Sequence, residues 1–308
     1  MNKKIAVIGA GNVGASVAQY LAEANLADIV MVDIIEGIPQ GKALDLTQAG
    51  PVRGYNCHLT GSNDYKDIKG ADIVVMTAGL ARKPGMSRED LLKMNADIVG
   101  MGADNIKKHA PKAFVIVVTN PLDIMTYHAF KRTGFAPHRV CGQAGILDST
   151  RFRTFVAMEL NIAMSDVQAM VMGGHGDTMV PLPRYTTVGG VPISELIPAE
   201  RIQAISDRTR DGGAEIVKLL KSGSAYYAPG AATVEMVRAI LLDEKRLIPV
   251  SAYLNGEYGM KDLYIGVPVV LGAGGVEKVI ELKLNKKELD MLTKSGTTYK
   301  GFLKEIGY

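Results

Sequence analysis

The sequence GAGNVG at residues 9–14 constrains the fold of this chain more than any other stretch. A short apolar run at residues 5–8 precedes it, and apolar residues at helical spacing follow it. In a G-x-G-x-x-G sequence the first glycine permits a tight turn, the second lets a pyrophosphate approach the backbone, and the third lets the helix pack closely on the strand. The free N–H groups at the helix N-terminus attract the phosphates. We therefore predict a strand–turn–helix unit that binds a dinucleotide.

The acidic residue after the next apolar run indicates which dinucleotide binds. Residues 29–32 are apolar and end at Asp33, which is where a carboxylate accepts hydrogen bonds from the adenosine ribose. A carboxylate repels a 2′-phosphate, and Ile34 and Ile35 supply no cation in its place. The expected cofactor is therefore NAD rather than NADP. The residues of this unit expected to contact it are Gly9, Ala10, Gly11, Asn12, Val13, Gly14 and Asp33.

Apolar runs continue to alternate with helical patterns through the first half of the chain. Buried strands are predicted at residues 73–76 and 114–118, a weaker strand at 58–60, and helices at 88–109 and 122–133. This alternation predicts an α/β fold with a doubly wound parallel sheet of the Rossmann type, in which ligands bind at the carboxyl ends of the strands. The alternation stops near residue 145. We expect an NAD-binding domain over residues 1–145 and an α+β substrate-binding and catalytic domain over residues 146–308.

The second half carries a more mixed pattern. We predict helices at residues 202–220 and 231–242, strands at 248–253 and 264–271, and a hairpin at 188–193. A last helix spans residues 285–305, with Asn285 as a possible N-cap. The string at residues 272–275 is glycine-rich, but neither a helix nor an acid follows it as a nucleotide site requires, so we interpret it as a turn.

Composition excludes several classes of protein. The 308 residues are 47% hydrophobic and 22% charged, with a net charge of +3, which is typical of a soluble globular protein without a nucleic-acid surface. No apolar run approaches the roughly 18 residues that cross a bilayer, and the N-terminal apolar run is better explained as a first strand than as a signal peptide. Two cysteines, Cys57 and Cys141, are too few for a disulfide framework or a metal cluster. We expect a cytoplasmic protein without membrane or metal.

His175 is the candidate for acid–base chemistry. It lies in the sequence GGHGD at residues 173–177, directly after an apolar run. Glycines leave room for a substrate or cofactor ring to approach the backbone, and an imidazole exchanges protons near neutral pH. Taken alone, the string is more typical of a simple turn, so its role depends on the other motifs.

Arginines suited to carboxylates occur in two places. Arg82 and Arg88 lie in a loop rich in proline and glycine after the strand at 73–76, where a loop can close over a ligand. A guanidinium binds a carboxylate through two parallel hydrogen bonds, which lysine cannot imitate. Asp148 and Arg151 are three residues apart at the start of a helical pattern that runs to about residue 160, and so they share one face of its first turn. By itself this spacing is more typical of a surface ion pair.

Five motifs occur together in one order: residues 9–14, ARKPGMSR at 81–88, TNP at 119–121, LDSTR at 147–151 and GHGD at 174–177. This set closely resembles the malate dehydrogenases that are similar to lactate dehydrogenases, and the resemblance covers the whole chain. It implies that His175 is the general acid/base and that Asp148 is its buried carboxylate partner. It further implies that Arg151 binds the carboxylate next to the reacting carbon, and that Arg88 arrives with the loop and polarises the carbonyl.

The resemblance also implies the specificity. Arg82 binds a second carboxylate, where lactate dehydrogenases carry glutamine, and Ala225 leaves room where they usually carry threonine. Ala81 replaces the usual proline, a departure that affects loop stiffness more than chemistry. The remaining contacts implied are Asn120 to substrate and cofactor, and Asn95, Val118 and Thr119 to the cofactor.

The expected function is the reversible, NAD-dependent oxidation of (S)-malate to oxaloacetate, as in the tricarboxylic acid cycle. The alternatives are a lactate dehydrogenase, a non-catalytic dinucleotide-binding protein, and a methyltransferase built on a similar glycine turn. Apolar helical faces and the resemblance suggest a homo-oligomer, a tetramer before a dimer.

Overall fold

The computed structural model describes residues 3–80 and 88–308, and of Arg88 only the backbone. The first half contains, in chain order, β1 (Lys4–Ile8), α1 (Asn12–Glu23), β2 (Asp28–Val32), α2 (Ile38–Arg53), β3 (Leu59–Ser62), β4 (Ile73–Met76), α3 (Arg88–His109), β5 (Phe114–Val117), α4 (Leu122–Thr133) and β6 (Val140–Gly142). The second half contains α5 (Gly145–Leu160), β7 (Val167–Gln168), β8 (Val171–Met172), β9 (Val180–Pro181), β10 (Thr187–Val188), β11 (Val191–Pro192), α6 (Ile193–Leu196), α7 (Ala199–Leu220), α8 (Tyr227–Leu241), β12 (Arg246–Asn255), β13 (Lys261–Gly272), β14 (Gly275–Val279) and α9 (Lys286–Glu305).

A nine-stranded sheet forms the centre, in the order β14-β13-β12-β6-β5-β4-β1-β2-β3. Strands β1 to β6 are parallel and follow the Rossmann order, with β1 between β2 and β4. The strand order reverses between β1 and β4, so a crevice opens there beyond the carboxyl ends of the strands. The predicted doubly wound sheet is confirmed.

The antiparallel strands of the second half join this same sheet. Ser251 of β12 pairs with Gly142 of β6, and β12, β13 and β14 extend the sheet in antiparallel pairs. The sequence pattern predicts the strands at residues 248–253 and 264–271 as part of a separate domain, and it does not predict β14. Residues 272–275 form the tight turn between β13 and β14, as expected. The division at residue 145, where α5 begins, stays a prediction.

Helix ends agree with the prediction where local capping sets them. Asn285 caps α9 with a reciprocal pair of bonds: its side chain accepts from the Glu288 backbone N–H (2.9 Å), and the Glu288 carboxylate accepts from the Asn285 N–H (2.8 Å). By contrast, α2 is absent from the prediction, and α8 begins four residues earlier than expected.

The main core lies on both faces of the sheet. The strand residues Ile5, Ile8 and Ile73 are essentially inaccessible, and Leu21 of α1 packs against them. A smaller apolar cluster that includes Phe152 of α5 lies between α5, α7 and the short strands of the second half. No helix within residues 3–80 and 88–308 is both long and apolar enough to cross a bilayer.

Candidate active site

The glycine turn between β1 and α1 combines tight packing with open space. Gly9 has a φ of +100°, and a Cβ there would lie 2.6 Å from the Ala78 nitrogen. A Cβ on Gly14 would lie 1.8 Å from the Gly9 carbonyl oxygen, whereas a Cβ on Gly11 would meet nothing within 4 Å. Gly9 and Gly14 are therefore required by the packing of the protein itself. Gly11, the N-cap of α1, faces free space where a pyrophosphate fits.

Asp33 lies at the end of β2, beside the glycine turn. Its carboxylate accepts one hydrogen bond from the Ala10 N–H (2.6 Å) and one from the Ile35 N–H (3.0 Å). Each oxygen keeps a lone pair for a ribose hydroxyl. The Lys42 ammonium donates to the Ala10 carbonyl (2.7 Å) from the other side of the turn. Lys42 is not predicted from the sequence, because the helix that carries it, α2, is not predicted either.

Asn95 joins two loops of the crevice. It is fully buried in α3, and its amide accepts from the Leu80 N–H (2.7 Å) and donates to the Asn120 carbonyl (2.7 Å). The Thr119 hydroxyl adds a bond from the second loop to the Ala78 carbonyl (2.7 Å). Asn95 thus shapes the crevice through backbone bonds, and its direct contact with the cofactor stays a prediction.

A cavity of about 270 Å³ opens at this edge of the sheet. Its lining includes predicted site residues from distant parts of the sequence: Val13, Val118, Asn120, Arg151, His175 and Ala225. Another cavity, of about 520 Å³, lies at the amino ends of β1, β4 and β5 and includes Lys3, Asp72 and Phe114. We place the site in the smaller cavity, because ligands of such sheets bind at the carboxyl ends of the strands.

His175 lines this cavity and is hydrogen-bonded to the buried Asp148. His175 Nδ1 lies 3.0 Å from a carboxylate oxygen of Asp148, which is only 1% exposed in the first turn of α5. Burial lowers the pKa of His175, but the charge and hydrogen bond of Asp148 outweigh it, and the net pKa is raised from the usual value of an imidazole. An ionised carboxylate only accepts hydrogen bonds, so it fixes the proton on Nδ1 and leaves Nε2 free to exchange a proton.

Arg151 lies one turn further along α5 and faces the same cavity. Its Nη1 is 3.4 Å from the second carboxylate oxygen of Asp148. Its Nε is buried and has no hydrogen-bond partner among the described residues. Burial lowers the pKa of the guanidinium, and Asp148 opposes that shift. A buried guanidinium that is only partly paired is costly, so the site suits a ligand with a carboxylate.

Side chains from three elements fix the peptide groups around His175. The His175 N–H donates to Asp123 of α4 (2.8 Å), which also accepts from the Ser251 hydroxyl of β12 (2.6 Å). From α9, the Tyr299 hydroxyl donates to the His175 carbonyl (2.8 Å), and the Ser295 hydroxyl accepts from the Gly174 N–H (2.9 Å). None of these groups is predicted from the sequence.

Asp123 alone had a local signal. It is an acid within an apolar helical stretch, between Leu122 and Ile124, and the structure buries it almost completely. Burial raises its pKa to about 6 against the opposing effect of its bonds to Ser251 and His175. A buried acid with satisfied hydrogen bonds is a candidate for a functional role.

The loop at residues 81–87 lies outside the described residues, as does the side chain of Arg88. The contacts predicted for Arg82 and Arg88 therefore stay predictions. Ala225 does line the cavity, as does Arg210 of α7, which the sequence analysis does not single out. Among the described residues, no group of three or more His, Cys, Asp or Glu side chains is arranged to hold a metal ion.

Comparisons with known proteins bear on the whole chain. Residues 3–142 match the family model described as lactate/malate dehydrogenase, NAD binding domain, and residues 146–306 match that of the alpha/beta C-terminal domain. A malate dehydrogenase from Roseiflexus sp. (strain RS-1) is 58% identical over 295 residues, which are 96% of each chain. A crystal structure of Cryptosporidium parvum malate dehydrogenase matches with a TM-score of 0.97 and 44% identity, covering 99% of each chain.

A lactate dehydrogenase gives nearly the same structural match. The Cryptosporidium parvum enzyme, solved with lactic acid and nicotinamide adenine dinucleotide, has a TM-score of 0.96 and 44% identity, covering 100% of this chain and 99% of that one. The backbone fold is therefore common to proteins with both names.

Proposed function

The chain belongs to the lactate/malate dehydrogenase family, and on that basis we propose that it is an NAD-dependent malate dehydrogenase. The observation that carries the proposal is the cavity in which the His175–Asp148 pair faces the incompletely paired guanidinium of Arg151. One group exchanges a proton and the other binds a carboxylate, as oxidation of a 2-hydroxy acid requires. Relatives at 55–58% identity carry the name malate dehydrogenase, which supports malate as the acid.

The crevice residues fit NAD. The open space at Gly11 and the N-terminus of α1 suit the pyrophosphate, and Asp33 has lone pairs for the ribose. Val13 and Val118 contribute apolar surface in the cavity next to His175. NAD, when bound, supplies the acceptor for a hydride from the substrate carbon.

In malate oxidation, His175 Nε2 takes the proton of the substrate hydroxyl. The charge of Asp148 stabilises the imidazolium that forms, and the Nδ1 bond keeps the ring oriented. In oxaloacetate reduction the imidazolium returns the proton to the carbonyl oxygen. Arg88 stabilises the negative charge that develops on this oxygen.

Two arginines select the substrate in this proposal. Arg151 pairs with the carboxylate next to the reacting carbon, which satisfies its buried Nε. Arg82 pairs with the second carboxylate, and the small Ala225 in the cavity wall leaves room for it. Pyruvate lacks that second carboxylate and would leave Arg82 without a partner, which is unfavourable in an enclosed site.

The test is a direct comparison of oxaloacetate and pyruvate as substrates with NADH. We expect kcat/KM to favour oxaloacetate by at least about 100-fold, because a site built for a polar group strongly rejects an analogue without it. A preference for pyruvate would identify a lactate dehydrogenase. If neither oxaloacetate nor pyruvate supports the oxidation of NADH, both assignments are contradicted.

Assembly, location and domain organisation complete the proposal. We infer a homo-oligomer, a tetramer before a dimer, and the exposed apolar side chains of Leu44 and Val52 on α2 support an association surface.

Two free cysteines, Cys57 and Cys141, fit a reducing cytoplasm, and the activity fits the tricarboxylic acid cycle. We propose the domain boundary at residue 145. Light scattering on the purified chain measures the oligomeric state.

A further inference from the structure

The backbone around His175 is held from both sides by side chains of other elements. Asp123 of α4 accepts from the His175 N–H at 2.8 Å, and Tyr299 of α9 donates to the His175 carbonyl at 2.8 Å. The Ser295 hydroxyl accepts from the preceding N–H, that of Gly174, at 2.9 Å. Three successive peptide groups are thus fixed independently of the bond between the imidazole and Asp148.

The packing leaves this loop little freedom to adopt another position. A Cβ at Gly174 would lie 1.9 Å from the Tyr299 ring, so the loop lies directly on α9. Gly173 exchanges backbone bonds with Gly266 of β13, at 2.9 and 3.1 Å. Asp123 is 1% exposed, and its second oxygen accepts from Ser251 of β12 at 2.6 Å. The three side chains that anchor the loop, Asp123, Ser295 and Tyr299, are all buried.

Asp123 also lies close to the reacting groups along the chain. It is in the first turn of α4, three residues after Asn120, which lines the cavity. We propose that Asp123 and Tyr299 are positioning residues, which hold the His175 backbone so that the imidazole meets both Asp148 and the substrate. We further propose that the carboxylate of Asp123, but not the phenol of Tyr299, stabilises the imidazolium by its charge. This inference rests on the proposed function only where activity is measured.

The charged groups around His175 determine how the removal of one charge shifts the His175 pKa. Asp148 and Asp123 both favour the protonated imidazole, and Arg151 opposes it. Arg210 and Asp177 also line the cavity. Removing the charge of Asp123 therefore lowers the His175 pKa, because Asp148 is left as the main anion opposing burial and Arg151. Removing the neutral phenol hydroxyl of Tyr299 leaves the pKa in place.

Three variants separate the two effects. Asp123→Asn keeps an oxygen to accept from the His175 N–H and an amide group that can bond the Ser251 hydroxyl, but it removes the charge. Tyr299→Phe keeps the ring and removes one hydroxyl. Thr133→Val is the matched control, because it deletes a buried hydroxyl of α4 that bonds, among the described residues, the backbone of residues 129–135.

The first measurement is an NMR titration of the His175 imidazole in each full-length variant, with the resonance assigned by its loss in His175→Gln. We expect a lower His175 pKa in Asp123→Asn, and the wild-type pKa in Tyr299→Phe and Thr133→Val. A wild-type pKa in Asp123→Asn would overturn the electrostatic part. This result does not depend on which substrate the enzyme uses.

The second measurement is oxaloacetate reduction by NADH. We expect kcat to fall about tenfold in Asp123→Asn and Tyr299→Phe with little change in KM, on the scale of one misplaced hydrogen bond, and to stay unchanged in Thr133→Val. If Asp123→Asn does not fold, Tyr299→Phe alone decides, and activity equal to that of the control overturns the positioning role. An inactive wild-type enzyme would instead refute the proposed function and leave the titration as the test of Asp123.

Discussion

His175 Nδ1 and Asp148 Oδ2 lie 3.0 Å apart, at the point where the loop after β8 meets the first turn of α5. Asp148 is almost fully buried, and its charge and hydrogen bond raise the pKa of His175 against the effect of burial. The two residues are far apart in the sequence, so the fold itself sets the pH at which the proposed proton transfer operates.

The pH profile of the reaction should reflect this pair. Malate oxidation needs neutral His175, so its kcat/KM rises as pH increases through the raised pKa of His175. Oxaloacetate reduction needs the imidazolium, so its kcat/KM falls through the same pKa. In Asp148→Asn the carboxylate charge no longer opposes the effect of burial on the His175 pKa, so the pH profiles of both reactions move to lower pH. Initial rates across pH measure this, and limbs that stay in place would contradict the assignment.

Gly11→Ala and Gly14→Ala should fail in different ways. A Cβ at residue 11 meets nothing within 4 Å, whereas one at residue 14 lies 1.8 Å from the Gly9 carbonyl. We expect Gly11→Ala to melt like wild type but to bind NADH at least about tenfold more weakly, because the methyl group occupies the space for the pyrophosphate. Gly14→Ala should lose thermal stability. Thermal melts measure the stability of the two variants, and fluorescence titrations measure their affinity for NADH. Full NADH affinity in Gly11→Ala would show that the pyrophosphate does not bind at Gly11.

Arg151→Lys should weaken substrate binding without loss of positive charge. Lysine cannot form two parallel bonds to a carboxylate, so we expect kcat/KM for oxaloacetate to fall at least about tenfold. Arg153→Lys is the matched control on the same helix, since its guanidinium bonds the backbone carbonyls of Val167 and Met164. Equal effects of the two substitutions on steady-state kinetics would argue against a substrate contact for Arg151.

Arg82→Gln tests the specificity that the resemblance implies. We expect the ratio of kcat/KM for oxaloacetate to that for pyruvate to fall at least about tenfold, because a charge-assisted bond to the second carboxylate is lost. Lys83→Gln, in the same loop, is the control and should leave the ratio unchanged. An unchanged ratio in Arg82→Gln would place the specificity in other residues.

The sequence predicts the parts of this fold that have a local cause. Strands β1, β2, β4 and β5 read as unbroken apolar runs because parallel strands are buried on both faces. The cap at Asn285 follows from the bonding of one side chain. By contrast, α2 contains two glycines and two prolines, and tertiary packing overrides their low helix propensity.

The sequences of β12 and β13 do not indicate which strand each pairs with, so the sequence does not predict their place beside the parallel strands.

The candidate site, like the fold, has parts with a local sequence signal and parts without one. His175, Asp148 and Arg151 belong to sequence motifs. In the structure His175 and Arg151 line one cavity, and both are hydrogen-bonded to Asp148. Ser295 and Tyr299 lie in an ordinary helical pattern more than 100 residues away in the chain, and only tertiary structure reveals their bonds to the catalytic loop.

The rate of oxaloacetate reduction by NADH in His175→Asn, followed by NADH absorbance in a single turnover, tests whether His175 carries the proton. General acid catalysis contributes about 10²–10⁴-fold, so we predict a rate at least about 100-fold below that of wild type, with NADH affinity retained. A near-normal rate would show that another group carries the proton and would contradict the assignment of His175.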